Sequence, residues 1–250
     1  MKVIATRPNT LTEKQFTYCP GCTHGISHRL IAEAIDELGM RNQTMGVAPV
    51  GCSVFAYEFF NVDMAEAAHG RAPAVATGMK RARPDMHVFT YQGDGDLAAI
   101  GTAEIIHAAN RGEVMSVFFV NNAIYGMTGG QMAPTTLPDM KTTTSPYGRD
   151  AEDIGYPIKV CELLNALTAP YYIERVTLYS PQDIMKAKKA VKRALQYNKE
   201  GRGFTFVEFL STCPTNWGMT PIDAMNWGKE HMIPMFPVKK FRDKNDMGGK

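Results

Sequence analysis

Net charge is nearly missing from this chain of 250 residues: 27 Lys and Arg stand against 25 Asp and Glu, leaving +2. A chain so balanced has no electrostatic reason to seek nucleic acid or an anionic membrane surface. Long apolar runs are missing too. Stretches such as Val117–Val120 are strand-sized, far short of the roughly 20 residues that cross a bilayer. Met1–Thr10 has no apolar segment of the secretory kind, so a cytoplasmic setting is expected. Cysteine is scarce and odd in number, five in all, and where thiols stay reduced that argues against structural disulfides. No internal repeat, low-complexity block or clear linker interrupts the chain, which predicts a single domain over residues 1–250. Disorder is excluded by an apolar content of 44%, enough for a substantial core.

What is present is an alternation of helix and strand. Thr23–Leu38 carries Ile26, Leu30, Ile31, Ala34, Ile35 and Leu38 at helical spacing, with Gly39 where a C-cap belongs. Met45–Val47 reads as a short strand running into the turn residues Pro49 and Gly51, and Met86–Tyr91 as a strand between Pro84 and Gly93. Leu97–Asn110 reads as a helix ended by Gly112, and Val114–Val120 as a buried strand. Asn121–Tyr156 is too rich in Gly, Thr, Pro and Asn for one long element, and loops of that length are usually functional. Ile173–Leu178, Gln182–Asn198 and Phe204–Leu210 form a further strand–helix–strand. Buried strands alternating with helices predict an α/β fold, a mainly parallel sheet covered on both faces. Lys186, Lys188, Lys189, Lys192 and Arg193 read as a solvated helix face, and the 16 Met as core filler. The tail after Trp227, about 228–250, is polar and broken by proline; it is expected to pack poorly on its own fold or to lie along a partner.

Gly93-Asp94-Gly95 follows one buried strand and opens a helix, and ligands of open parallel sheets bind at the carboxyl ends of strands. Gly93, Gly95 and Ala98 match the G-x-G-x-x-A dinucleotide spacing. A dinucleotide also needs an acid at the end of the next strand to hold a ribose, but that strand ends in Asn121-Asn122, which weakens the nicotinamide reading. Asp94 and Asn122 stand 28 residues apart, one strand–helix–strand crossover, so they should sit side by side at neighbouring strand ends. A carboxylate and an amide oxygen are hard ligands suited to Mg²⁺ with a diphosphate completing the octahedron. Gly93 and Gly95 allow the backbone to approach that diphosphate. Gly-Asp-Gly followed by Asn-Asn at this distance resembles the signature of thiamine diphosphate enzymes. The resemblance implies Asp94 and Asn122 as metal ligands by side chain and Ile124 by its carbonyl.

Cys19-Pro-Gly-Cys22 precedes the first helix. A thioredoxin-like dithiol would need only this pair. A zinc ribbon needs a second Cys-x-x-Cys, which is absent. An iron–sulfur cluster needs four thiolates, which can come from distant loops. Cys52 and Cys213 are candidates, since each follows a strand in a turn-rich stretch. Cys161, inside the apolar run Val160–Leu167, reads as a buried structural thiol.

Assembled in order, Cys19-Pro-Gly-Cys22, Val50-Gly-Cys-Ser53, His69-Gly-Arg71, Gly93-Asp-Gly-Asp96, Asn121-Asn-Ala-Ile-Tyr-Gly-Met-Thr-Gly-Gly-Gln131 and Ser211-Thr-Cys-Pro214 resemble one family. It is that of the β subunits of 2-oxoacid:ferredoxin oxidoreductases, and the likeness runs from Cys19 to about Trp217. It implies a thiamine diphosphate-binding fold and a 4Fe–4S cluster on Cys19, Cys22, Cys52 and Cys213. It also implies cofactor contacts from Val50, Gly51, Cys52, Ser53, His69, Gly95, Asp96, Gly126 and Met127. His69 and Arg71 are the candidate catalytic side chains, although Arg71 could equally bind an anion or cap a helix. Some members have Leu and Lys where this chain has Met127 and Gly129, which bears on the substrate. The motifs are most similar to branched-chain (2-oxoisovalerate) members, with 2-oxoglutarate members next.

The implied reaction is oxidative decarboxylation of a 2-oxo acid. The cofactor attacks the 2-oxo carbon, CO₂ leaves, two electrons pass singly through the cluster to ferredoxin, and coenzyme A takes the acyl group. No segment has the pattern of the pyrimidine-binding domain that such chemistry needs. The resemblance therefore implies a hetero-oligomer with an α subunit carrying that domain, γ and δ subunits being further candidates, and no activity for this chain alone. The rival readings are a nicotinamide-dependent dehydrogenase and a non-catalytic thiol-redox or scaffold protein.

Overall fold

The computed structural model describes residues 6–246, so the first five residues of the Met1–Thr10 stretch and the last four of the tail lie outside it. Among the described residues the strands are β1 (Thr44–Ala48), β2 (Asp63–Glu66), β3 (His87–Gly93), β4 (Ser116–Asn121), β5 (Ile124–Tyr125), β6 (Gln131–Met132), β7 (Tyr172–Thr177), β8 (Thr205–Leu210) and β9 (Lys239–Asp243). The helices are α1 (His24–Glu37), α2 (Ala56–Phe59), α3 (Ala72–Ala82), α4 (Thr102–Asn110), α5 (Ala151–Ile154), α6 (Val160–Asn165), α7 (Pro181–Lys199), α8 (Pro214–Trp217), α9 (Pro221–Trp227) and α10 (Ile233–Met235). No described helix is long and apolar enough to cross a membrane.

The main sheet has the order β2-β1-β3-β4-β8-β7-β9, parallel throughout except for β9, which runs antiparallel to β7. Its central strands are buried on both faces, and their alternation sorts side chains into two cores. Phe89, Tyr91, Phe118, Val120 and Phe209 point toward α1 and α7, where Leu30, Ile31, Ile35, Val191 and Leu195 cover them. Val88, Val117, Phe119 and Phe206 face the other way, under Ile105, Ala108, Val160 and Leu164. Each such side chain, fully buried, contributes roughly 1.5–3 kcal/mol. Pro181 and the Ser180 cap, whose side chain accepts from the Asp183 N–H, start α7. Because the strands are parallel, the loops after β1, β3, β4 and β8 all emerge at one carboxyl edge.

Three expectations change. The helix expected over Leu97–Asn110 is two pieces: a wide π-type turn over Gly95–Ile100, then α4. The joint at Gly101 packs backbone on backbone against Gly70. A Cβ on Gly101 would stand 2.7 Å from the Gly70 oxygen, and one on Gly70 would stand 2.7 Å from the Gly101 nitrogen. The basic face of α7 is only partly solvated. Lys188 bridges Glu33 and Glu37 of α1 at 2.9 and 2.8 Å, Lys192 meets Glu37 at 2.7 Å, and Arg193 meets Asp243 at 3.0 Å. The tail, expected to pack poorly, is part of the fold. Met232 and Phe236 are buried beside Tyr179 and Leu210, and β9 closes the sheet edge. Arg175, fully buried, pairs with Glu208 at 2.8 Å and donates to the Pro237 carbonyl at 3.2 Å, which anchors the start of that strand.

Candidate cofactor site at the carboxyl edge of the sheet

A cavity of about 240 Å³ opens at the ends of β1, β3 and β4. Val50, Gly51, Cys52 and Ser53 line it from the loop after β1, and His69 from the loop before α3. Gly95 and Asp96 line it from the turn after β3, and Gly126 and Met127 from the turn after β5. Asp94, Asn122 and Ile124 line it as well.

Register explains why the last three meet. Gly93 pairs with Val120 across β3 and β4, so the residues just beyond both strand ends are neighbours. Asp94 is 3% exposed, and its Oδ2 accepts from the Ala123 N–H at 2.9 Å and the Thr135 hydroxyl at 2.5 Å. Its Oδ1 stands 3.0 Å from the Asn122 carboxamide oxygen, which stands 2.8 Å from the Ile124 carbonyl oxygen. Three oxygens converge. Either a cation belongs among them, or the amide turns over so that its nitrogen donates to both neighbours. Burial pushes the Asp94 carboxyl up to about 7, the mark of an anion without positive charge beside it. Ala123, between Asn122 and Ile124, has φ of 60°, a conformation costing an L-residue roughly 1–2 kcal/mol. That turn sends the Asn122 amide and the Ile124 carbonyl to the same side.

Asp96 has a different task from Asp94. Its Oδ1 accepts from the Val50 N–H at 3.0 Å, the Gly70 N–H at 3.0 Å and His69 Nδ1 at 2.8 Å, and its Oδ2 from the Gln92 amide at 2.7 Å. The carboxylate is thus spent on holding three loops together. Because a carboxylate only accepts, His69 carries its proton on Nδ1, leaving Nε2 free. Arg71 does not join the cavity. It pairs with Glu104 at 2.7 Å and donates to the Ile100 carbonyl at 3.0 Å, tying its loop to the start of α4.

Four of the five cysteines gather at the Cys52 end of the cavity. The Thr212 hydroxyl donates to the Gly21 carbonyl at 2.7 Å, and the Thr23 and Ser211 hydroxyls meet at 2.6 Å. The Cys19–Cys22 turn is thereby pinned to the segment ending in Cys213. Gly126 backs onto the other side, where a Cβ would stand 3.0 Å from Cys52 Sγ and 3.4 Å from Cys213 Sγ. Burial pushes Cys22 up to about 11 and Cys52 to about 12, and raises Cys213, with the neighbouring cysteines adding to each shift. A redox dithiol needs the opposite, a thiol shifted down, whereas positive metal stabilises crowded thiolates. Among the described residues no three His, Cys, Asp or Glu close in tightly enough for a single ion. A four-iron cube, with thiolates at its corners, sets them farther apart. Cys161 is fully buried elsewhere, beside Glu208.

Several contributors carry no motif. His24 lines the cavity, its Nδ1 2.7 Å from the Tyr91 hydroxyl, and burial lowers it to about 4, so it is neutral. Thr135, Gln92 and Asn216 reach the site from positions that nothing in local spacing marks. Only the His two residues after Cys22 could have been picked out.

A family model for the thiamine pyrophosphate enzyme C-terminal TPP-binding domain matches residues 49–209. The chain is 58% identical to ketoisovalerate oxidoreductase subunit VorA of Methanothermobacter marburgensis, over 91% of this chain and 48% of that protein. It therefore spans about half the length of that relative. It is 36% identical to 2-oxoglutarate synthase subunit KorB of Methanocaldococcus jannaschii, over 93% of this chain and 84% of that one. Among solved structures, a 2-oxoglutarate:ferredoxin oxidoreductase from Magnetococcus marinus with 2-oxoglutarate, coenzyme A and succinyl-CoA bound superposes with a TM-score of 0.78. The identity is 26%, and the match covers 100% of this chain and 93% of that one.

Proposed function

The chain belongs to the thiamine diphosphate-binding subunits of the 2-oxoacid:ferredoxin oxidoreductases, and from that premise we propose that it works in a complex oxidising a branched-chain 2-oxo acid to its acyl-CoA. The observation that carries the cofactor part is the trio of oxygens from Asp94, Asn122 and Ile124, which would hold Mg²⁺ and through it a diphosphate. Val50, Gly51, Cys52, Ser53, His69, Gly95, Gly126 and Met127 would contact thiamine diphosphate. Asp96 would act mainly by fixing Val50, His69 and Gly70 around it. Cys19, Cys22, Cys52 and Cys213 would carry a 4Fe–4S cluster, with Cys52 common to both groups. When bound, thiamine diphosphate supplies the electron sink for decarboxylation, and the cluster passes electrons on singly.

The chain's own residues orient and exclude water. The His69 Nε2 is free to exchange a hydrogen bond in the cavity. His24, kept neutral by burial, adds an uncharged wall, and Met127 and Ile100, each more than two-fifths exposed, make the rim apolar. Such a rim suits closure by another chain: an α subunit bringing the pyrimidine-binding domain, with or without γ and δ subunits. Ferredoxin and coenzyme A are the proposed electron and acyl acceptors, in a cytoplasmic setting. One domain over residues 1–250 would hold cofactor and cluster alike. Preference for 2-oxoisovalerate over 2-oxoglutarate is supported by the higher identity to the VorA relative than to the KorB relative.

Titration of the chain with thiamine diphosphate, with and without Mg²⁺, tests the cofactor reading. Binding that ignores Mg²⁺, or tight NAD(H) binding, would overturn it. Cluster ligation is tested by visible absorbance near 400 nm. It should vanish in Cys52→Ala and Cys213→Ala and persist in Cys161→Ala. Rates of the reconstituted complex on 2-oxoisovalerate, 2-oxoglutarate and pyruvate decide the substrate, and the chain alone should oxidise none of them.

A further inference from the structure

One side chain touches both halves of the site. Asn216, on α8 three residues after Cys213, points its amide nitrogen at Cys213 Sγ, 3.3 Å away, and at the Gly126 carbonyl, 2.9 Å away. A carboxamide nitrogen has two hydrogens lying in the amide plane. With one given to the carbonyl and the other to the sulfur, the plane is fixed between the two acceptors. Gly126 and Gly130 make room for this: a Cβ on Gly126 would come within 3.7 Å of Asn216 Nδ2, and one on Gly130 within 3.1 Å of its Oδ1. The neighbouring Trp217 Nε1–H donates to the Asn122 carbonyl at 3.2 Å, so the same short helix also grips the loop carrying the metal ligands.

We infer that Asn216 is a positioning residue that sets the reduction potential of the cluster: the Gly126 carbonyl aims its N–H at Cys213 Sγ, and that hydrogen bond favours the reduced cluster. The physical ground is general. Reduction adds negative charge, part of which resides on the thiolate sulfurs, so a donor aimed at one of them stabilises the reduced form more than the oxidised one. The inference rests on the cluster reading above and adds to it a residue that is not a ligand.

The test uses the full chain, reconstituted anaerobically with iron and sulfide, as wild type, Asn216→Leu and Asn216→Asp. Leu keeps the bulk and removes the donor, and Asp replaces the donor with an anion. Potentiometric titration followed by EPR should give midpoint potentials falling in the order Asn, Leu, Asp. At a fixed potential the reduced-to-oxidised ratio should drop several-fold for Leu and further for Asp. A merely structural role would lower thermal stability and leave the potential of the assembled cluster unchanged. A cluster present in all three proteins with one shared potential therefore overturns the inference and leaves the function standing. If wild type takes up no cluster, the function reading itself fails.

Should the variants alone lose the cluster, wild type decides. Reduced protein labelled with ¹⁵N-asparagine should show, by pulsed EPR, a side-chain amide nitrogen coupled to the cluster, and absence of that coupling overturns the inference.

Discussion

Replacing Asp94 by Asn should make the chain more stable without its cofactor and deaf to it. Asn is nearly isosteric with Asp, and the surroundings accept it. Its oxygen can take the place of Oδ2, still accepting from Ala123 at 2.9 Å and Thr135 at 2.5 Å. Its nitrogen then takes the place of Oδ1, 3.0 Å from the Asn122 oxygen, and donates where two acceptors now face each other. What is removed is a buried anion with no cation beside it, whose burial costs several kcal/mol before its hydrogen bonds repay part. The net gain should be about 1–3 kcal/mol, and at about 2–4 °C per kcal/mol for a chain near this size, Tm should rise by at least a few degrees. Thermal unfolding at pH 8 with EDTA reads this, above the value of about 7 to which burial pushes the acid, so that wild type is charged. Adding thiamine diphosphate and Mg²⁺ at about 1,000 times their Kd should stabilise wild type by about 4.1 kcal/mol and the variant hardly at all. The order of melting should cross. An Asp94→Asn protein that melts below wild type in EDTA, or gains as much from the cofactor, would refute the metal-ligand reasoning.

Gly126→Ala should cost about 1–3 kcal/mol of overpacking and should cut cluster uptake while sparing the fold, because its Cβ meets two cysteine sulfurs at 3.0 and 3.4 Å; iron content and denaturant unfolding check both. Arg175→Met strands the fully buried Glu208 carboxylate and should cost about 3–5 kcal/mol; the loss should show in the urea midpoint and should shrink when Glu208→Leu is added. His28 is held neutral, lowered well below its ordinary value by burial and then by His24; it faces His24, Tyr18 and Tyr91, and its Nε2 lies 3.1 Å from the Tyr18 hydroxyl. The unfolded chain therefore binds a proton the native one refuses, so stability should fall as pH drops below about 6.5, at up to about 1.4 kcal/mol per pH unit for this group. His28→Phe should shallow that slope in urea titrations between pH 5.5 and 7.5, at the cost of the Tyr18 bond.

The adjacency of Asp94 and Asn122 was legible because a parallel sheet returns every crossover to the same edge, and 28 residues is one crossover. The central strands were legible for a similar reason, since burial on both faces writes them as continuous apolar runs. Edge strands lack that mark. β2 reads Asp-Met-Ala-Glu and β9 Lys-Lys-Phe-Arg-Asp, the charge that keeps a sheet edge from pairing with strangers. That charge also disguises both as loop, which is why the tail read as loose. The helix after Asp94 splits at Gly101, where its backbone packs on Gly70, a contact that no window of local sequence contains. The partners of Asp94 and Gly126 are hidden in the same way. Thr135 lies 41 residues from Asp94, and Asn216 lies 90 from Gly126. Arg71 carried a functional-looking motif position, yet its charge goes to Glu104.

The strained turn at Ala123 joins these observations into one account. A left-handed Ala persists only where its surroundings hold it. Here the Ala123 N–H is shared by Asp94 Oδ2 at 2.9 Å and Asn121 Oδ1 at 3.2 Å. The Asn121 amide donates to Glu208 at 2.8 Å, and Glu208 accepts from Arg175 at 2.8 Å. Arg175 in turn lies against the rings of Phe236 and Phe241 in the tail. The aim of the Asn122–Ile124 turn is therefore set by a buried polar chain that ends at the last strand. On this argument β9 belongs to the cofactor site as much as to the sheet, because loosening it frees Arg175, then Glu208 and Asn121, and finally the turn that sends two oxygens toward Asp94.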